Sequence, residues 1–149
     1  MTINLGINGF GRIGRSTLSH ITESARNDVQ VTKINATGSI QTNAHLLKYD
    51  STHGRFAGKV TVENDTFDIG YGPIKVFSTY EPEDLDWSGC DVVLECTGKF
   101  NDGLKSRVHI QQGAKSVLIS APANNVDKTI DYGVNPVSYT HLTLPTISC

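Results

Sequence analysis

Residues 2–35 change from an alternating apolar pattern to a helical one and back again. Within residues 2–8, apolar residues occupy every second position, which predicts a strand. Apolar residues then recur at roughly helical spacing, at Ile13, Leu18, Ile21 and Ala25. The alternation returns at Val29, Val31 and Ile34. A strand, a helix and a second strand in this order predict a βαβ unit.

The remainder of the chain contains signals for two more buried strands, a helix and a hairpin region. Residues 91–95 and 116–120 are short apolar runs, and residues 101–112 between them have helical spacing. Residues 60–76 alternate between apolar and polar positions and are interrupted by turn signals. We therefore expect antiparallel hairpins inserted after the second strand.

A glycine motif, Gly9-Phe10-Gly11-Arg12-Ile13-Gly14, connects the first strand to the first helix. Gly9 allows a tight turn, Gly11 lets a pyrophosphate approach the backbone, and Gly14 lets the helix pack closely on the strand. The helix N-terminus offers free N–H groups to phosphates, and Arg12 adds a positive charge. The motif in this setting predicts a Rossmann-type, doubly wound α/β fold with a mostly parallel sheet, which binds a dinucleotide.

The end of the second strand bears on the choice between NAD and NADP. An acidic residue commonly stands there and binds the ribose 2′-OH of NAD. Here the segment is Asn35-Ala36-Thr37-Gly38-Ser39, with Ala36 where a carboxylate is expected. Thr37 and Ser39 could donate hydrogen bonds to a 2′-phosphate; alternatively, the segment is a plain polar turn in an NAD site. The cofactor is therefore NAD or NADP.

Ligands of open α/β sheets bind beyond the carboxyl ends of the strands. We expect one cleft to be formed there by Gly9–Gly14, Asn35–Thr37, Thr97–Gly98 and Ser120. Cys90 and Cys96 are interpreted as small buried hydrophobic residues. His53 is followed by Gly54 and Arg55 and is interpreted as a loop residue.

Composition narrows the class of protein. A formal net charge of −2 gives no bulk attraction to nucleic acid or to anionic membranes. Three cysteines without regular spacing predict neither a disulfide framework nor a metal site. No signal peptide opens the chain, and no apolar run is long enough to span a bilayer. A cytoplasmic protein is expected.

Four stretches, "INGFGRIGR", "LLKYDSTHGRF", "ECTG" and "YGVN", resemble the type I phosphorylating glyceraldehyde-3-phosphate dehydrogenase family. The resemblance covers about residues 2–135, so residues 1–135 are predicted to be an NAD(P)-binding domain. A fragment of erythrose-4-phosphate dehydrogenase, which shares this domain, remains an alternative. A stand-alone dinucleotide-binding module is a second alternative.

The resemblance also implies roles for particular residues. Arg12 and Ile13 would contact the pyrophosphate through their backbone, and Asn35 with Ala36 would hold the adenosine ribose. Thr97-Gly98 would lie along the cofactor, Ser120 would approach the nicotinamide, and Tyr80 would lie near the adenine. Ala36 stands where NAD-type members typically have Asp, and Tyr80 where they often have Arg or Lys.

The family oxidises a small phosphorylated aldehyde through a cysteine thioester, in glycolysis and glucose metabolism, and the full-length enzyme is expected to be a homotetramer. Residues 136–149 do not resemble the family and are predicted to be an artefactual or disordered tail. Cys149 is not expected to be the nucleophile, because its terminal carboxylate would raise the pKa of the thiol. We expect that the catalytic domain is absent and that this chain alone is inactive.

Overall fold

The computed structural model describes residues 2–24, 27–50, 54–55, 59–70, 72–126, 128–129 and 146–148. The α-helices of this part are α1 (Arg12–Glu23), α2 (Ile40–Lys48) and α3 (Gly103–Gln111), and a 3₁₀ helix spans Pro82–Asp84. The strands are β1 (Ile3–Asn8), β2 (Val29–Asn35), β3 (Tyr49–Asp50), β4 (Gly54–Arg55), β5 (Thr61–Glu63), β6 (Thr66–Asp68), β7 (Pro73–Phe77), β8 (Val92–Glu95), β9 (Ser116–Ile119), β10 (Lys128–Thr129) and β11 (Thr146–Ser148).

The main sheet has the strand order β10-β11-β9-β8-β1-β2-β7-β6-β5. Neighbouring strands from β10 to β7 are parallel, whereas β6 runs antiparallel to β7 and β5 antiparallel to β6. The chain adds β2 and β7 on one side of β1, and later β8 and β9 on the other. The predicted Rossmann-type, mostly parallel α/β fold is therefore confirmed. It brings the carboxyl ends of β8, β1, β2 and β7 to one edge.

Two apolar clusters hold the sheet in place. The first surrounds β1 and β2 and includes Ile7, Leu18, Ile34 and Phe67, each at most 1% exposed. The second surrounds Trp87, which is completely buried. A Cβ atom on Gly6 would lie 2.6 Å from the Trp87 ring, so glycine in the middle of β1 leaves room for the indole.

The structure adds detail that the pattern did not predict. The expected antiparallel hairpins are β5, β6 and β7, but β7 also pairs in parallel with β2 and thus completes the main sheet. Helix α2 was not predicted, although Ser39 is a typical N-cap and accepts a hydrogen bond from the Thr42 N–H at 3.1 Å.

Part of the predicted tail lies in the sheet. Strand β11 pairs in parallel with β9, opposite residues 117–119. The expectation that residues 136–149 are an artefactual or disordered tail stays a prediction. His53 and Cys149 lie outside the described residues.

Candidate cofactor-binding site

A cleft of about 330 Å³ opens at the carboxyl ends of β8, β1, β2 and β7. In the part of the chain that the structure describes, its walls contain glycine, hydroxyl, amide and aromatic groups, together with a lysine and no carboxylate. The lining residues with polar or aromatic side chains are Asn8, Phe10, Asn35, Thr37, Asn43, Thr79, Tyr80, Cys96, Thr97, Lys99 and Phe100. Gly9 and Gly11 form part of the same wall.

The three motif glycines differ in the space around them. Gly9 has a φ of +97°, and a Cβ atom there would lie 2.8 Å from the Thr97 backbone nitrogen. A Cβ on Gly14 would lie 2.3 Å from the Gly9 carbonyl oxygen, so the absence of a side chain there allows α1 to pack closely on the turn. A Cβ on Gly11 would meet nothing within 4 Å. Gly11 thus faces open space in the cleft wall, where a phosphate can approach the backbone.

Helix α1 begins directly after Gly11, so its first N–H groups have no partner within the helix. Arg12 and Ile13 are exposed on this first turn and do not line the cleft themselves. The Arg15 guanidinium donates a hydrogen bond to the Phe10 carbonyl at 2.9 Å, which ties the glycine turn to the helix. The turn and the helix N-terminus therefore form one fixed unit that suits a pyrophosphate.

Asn35 connects the ends of β1, β2 and β7. Its amide nitrogen donates to Asn8 Oδ1 at 2.8 Å and to the Thr79 carbonyl at 3.0 Å, and its Oδ1 accepts from the Thr79 N–H at 3.1 Å. Both amide hydrogens are thus used inside the protein. The ribose contact predicted for Asn35 stays a prediction. Its side chain could accept one further hydrogen bond at Oδ1, for example from a ribose hydroxyl.

The segment after β2 has a different arrangement from the one expected. Asn43 of α2 donates to the Thr37 and Ser39 carbonyls, both at 3.1 Å, and so holds this loop. The Ser39 hydroxyl caps α2 and donates its hydrogen to Thr42 Oγ1 at 2.7 Å. In this arrangement its hydrogen is not directed at a 2′-phosphate. Ala36 is 2% exposed and packs in the core rather than lining the cleft. Thr37 is the exposed hydroxyl that lines the wall.

A buried polar network lies beneath the cleft. Asn8 Nδ2 lies 2.8 Å and 3.0 Å from the two carboxylate oxygens of Glu95, and the Thr97 hydroxyl donates to Glu95 Oε1 at 2.9 Å. His109 Nε2 lies 3.7 Å from the second carboxylate oxygen. Glu95 is 1% exposed and His109 is completely buried.

Trp87 determines which nitrogen of His109 holds the proton. Its indole N–H donates to His109 Nδ1 at 3.0 Å, and an indole N–H can only donate. Nδ1 is therefore an acceptor, and the proton of the neutral ring is on Nε2, the nitrogen that faces Glu95. The carboxylate is surrounded by donors, which is the condition for keeping a buried charge.

The loop after β8 forms the other wall. Gly98 has a φ of +76° and is exposed, and the Lys99 N–H donates to Thr97 Oγ1 at 3.1 Å. Lys99 Nζ lies 5.4 Å from the centroid of the Tyr80 ring, which is 72% exposed. Cys96 is only half-buried and lines the cleft, so its interpretation as a buried hydrophobic residue was wrong.

Ser120 lies outside the cleft. It follows β9, which is separated from β1 by β8, and its backbone N–H and hydroxyl both bond to the Glu95 carbonyl at 3.1 Å. The predicted convergence thus brings Gly9, Gly11, Asn35, Thr37 and Thr97 to the cleft. The other members of the predicted ranges do not line it: Arg12, Ile13, Gly14, Ala36, Gly98 and Ser120. The proximity of Ser120 to the nicotinamide stays a prediction.

Sequence reasoning missed Asn8, Glu95, Lys99 and His109. Asn8 and Glu95 each end a strand at the carboxyl edge of the sheet, and this position was the available signal. His109 lies in helix α3 and had no such signal.

Two other features are absent from the described residues. This part of the chain has no group of three or more His, Cys, Asp or Glu residues that could hold a metal ion. It also has no helix long and apolar enough to cross a membrane.

A parallel sheet with a glycine-rich turn at its carboxyl edge, opening onto a polar cleft, defines a dinucleotide-binding domain. Residues 3–103 match the family model of the glyceraldehyde 3-phosphate dehydrogenase NAD binding domain. The chain belongs to this family, and the resemblance seen in its motifs is confirmed.

Relatives of the chain have the same family name. It is 53% identical over 140 residues to the glyceraldehyde-3-phosphate dehydrogenase of Cereibacter sphaeroides, covering 94% of this chain and 42% of the relative. It is 49% identical to the enzyme of that name from Xanthobacter flavus, covering 100% of this chain and 46% of the relative. The chain therefore spans less than half the length of these curated relatives.

Proposed function

We propose that this chain is the cofactor-binding part of a glyceraldehyde-3-phosphate dehydrogenase and binds NAD or NADP in the cleft. The observation behind this proposal is the open space at Gly11, beside the start of α1, in a wall whose described residues include no carboxylate. The proposed contacts are the ones predicted from sequence: Gly9, Gly11, Arg12, Ile13, Gly14, Asn35, Ala36, Thr37, Tyr80, Thr97, Gly98 and Ser120.

The chemistry of the whole enzyme is part of the proposal. The bound nicotinamide would accept a hydride as a small phosphorylated aldehyde is oxidised. Within this chain, the glycine turn and α1 would hold the pyrophosphate, and the Asn35 and Thr79 pair would shape the adenosine end. We further propose that residues 1–149 alone bind the cofactor without turning over aldehyde. A cytoplasmic location, a role in glycolysis and a homotetramer are proposed for the whole enzyme from its family membership.

Calorimetric titration of the purified chain with NAD and NADP tests the binding. The matched variant is Gly11→Ala, because the backbone there has a φ of −76° that alanine adopts, and the added methyl group enters open space. The fold should survive while cofactor affinity falls at least about tenfold, since the methyl group occupies the approach to the backbone. Equal affinity of both proteins, or no binding by either, would contradict the proposal. Aldehyde-dependent reduction of NAD or NADP would contradict the predicted inactivity.

The domain boundary at residue 135 is also a proposal. The family model ends at residue 103. The alternative is that the last residues form an edge strand of the domain: β11 pairs with β9, and the Xanthobacter match covers 100% of the chain. Deletion of residues 136–149 tests it: a foreign tail predicts an unchanged melting temperature, whereas an integral edge strand predicts a lower one.

A further inference from the structure

The loop after β8 places a cation beside an aromatic ring in the wall of the cleft. In the sheet, β8 and β7 lie on opposite sides of the β1–β2 pair. Lys99 follows β8 and Tyr80 follows β7, yet Lys99 Nζ lies 5.4 Å from the centroid of the Tyr80 ring. The ammonium group therefore lies beside the Tyr80 ring, in a cleft whose wall also includes Thr37 of the loop after β2.

The backbone of Lys99 is held by the buried network beneath the cleft. Its N–H donates to Thr97 Oγ1, and that hydroxyl donates to the buried carboxylate of Glu95. The long side chain is exposed, and its charge is placed by the Tyr80 ring through a cation–π contact. A fixed backbone and a positioned charge reduce the entropy that is lost when Lys99 binds an anion.

The charges around Lys99 favour an anion. Among the described residues that line the cleft, Lys99 is the one lysine or arginine, and none is acidic. Within the described part of the chain, no carboxylate forms an ion pair with Lys99. The ammonium group is thus available to a ligand.

We propose that Lys99 is a specificity-determining residue that binds the 2′-phosphate of NADP. The inference rests on the proposed function, in which the pyrophosphate lies at Gly11 and the adenosine lies toward β2 and β7. The 2′-phosphate is the one group at the adenosine end that NADP has and NAD lacks. Because Ala36 supplies no carboxylate to repel it, the positive charge of Lys99 favours NADP.

The test compares the whole purified chain with its Lys99→Met and Lys99→Arg variants by calorimetric titration with NAD and NADP. Methionine keeps much of the side-chain length and removes the charge, whereas arginine keeps the charge. Lys105→Met is the matched control, because Lys105 is exposed on α3 and does not line the cleft. Adenosine 2′,5′-bisphosphate and AMP repeat the comparison at the adenosine end alone.

Lys99→Met should weaken NADP binding about tenfold and change NAD binding less than about twofold, as expected for loss of one charge-assisted hydrogen bond. Lys99→Arg should retain most of the NADP affinity, and Lys105→Met should bind as the parent does. An equal loss for NAD and NADP would place Lys99 at the pyrophosphate and overturn the inference, as would unchanged affinities. If the parent chain binds neither cofactor, the proposed function itself fails.

Discussion

Replacement of Glu95 by glutamine tests whether the buried network beneath the cleft stabilises the fold. The change removes the negative charge and keeps the size and shape of the side chain. Asn8 Nδ2 lies 2.8 Å from one carboxylate oxygen, and the Thr97 hydroxyl donates to the same oxygen at 2.9 Å. Glutamine has one acceptor oxygen and an NH₂ group, so one of the surrounding donors would then face another donor.

The magnitude follows from the two bonds and their burial. A hydrogen bond to a charged group contributes about 1.5–3 kcal/mol and a neutral one about 0.5–1.5 kcal/mol, so two bonds lose about 2 kcal/mol. A buried donor left without an acceptor adds about 1–3 kcal/mol. Relief of the desolvation of a buried carboxylate opposes this loss. We expect a net decrease of about 2–4 kcal/mol in the free energy of unfolding, a large share of the roughly 5–15 kcal/mol of a typical domain.

Urea denaturation followed by tryptophan fluorescence measures the effect, because the single tryptophan, Trp87, is buried and bonded to His109. Glu83→Gln is the matched control, since Glu83 is exposed on the 3₁₀ helix and should change stability by less than about 0.5 kcal/mol. The reasoning is refuted if Glu95→Gln is as stable as the parent or more stable. That result would mean that desolvation of the carboxylate outweighs its hydrogen bonds.

Three further predictions concern the turn, the thiols and the acid limit of stability. Gly14→Ala should lower the free energy of unfolding by at least about 2 kcal/mol, because the added Cβ would lie 2.3 Å from the Gly9 carbonyl oxygen. Urea denaturation measures this, and a midpoint equal to that of Gly11→Ala would contradict it. Iodoacetamide should label Cys96 before Cys90, as read by peptide mass, because burial raises the pKa of the Cys90 thiol, and bound cofactor should slow only Cys96. The hydrogen bond from the Asn4 N–H, and then the one from Lys115, hold the pKa of Asp91 below its ordinary value of 3.8. The Asp91 carboxylate therefore stabilises the fold at neutral pH, and this contribution is lost as the pH falls through the pKa of the folded state. Asp91→Asn should therefore be less stable at pH 7 and lose less stability on acidification in an acid titration; a parallel curve would contradict the assignment.

Much of the fold could be predicted because its signals are local. The strand at residues 3–8 and the helix at residues 12–23 follow from the spacing of apolar residues, which any single sequence displays. The glycine motif was informative for the same reason, since each glycine avoids a clash or permits a turn that involves residues close to it in the chain. Ser39 before α2 is a local helix-start signal that was not used. The sequence analysis interpreted its hydroxyl as a donor to a 2′-phosphate instead of as an N-cap.

The network under the cleft could not be predicted, because its members are distant in the chain. Asn8 and Glu95 are separated by 87 residues, and Trp87 and His109 meet only when α3 packs beside the sheet. Hydrogen-bond partners of this kind depend on strand order and register. No pattern within either segment records them.

The sequence by itself determined the βαβ unit, the glycine turn and the family to which the chain belongs, because periodicity and motif are properties of neighbouring residues. Tertiary structure decided which polar groups reach the cleft. It buried Ala36, made Ser39 the N-cap of α2 and placed Lys99 beside Tyr80. The physical reason is that a side chain's chemistry depends on its partners, and its partners are chosen by the packing of strands and helices that lie far apart in the chain.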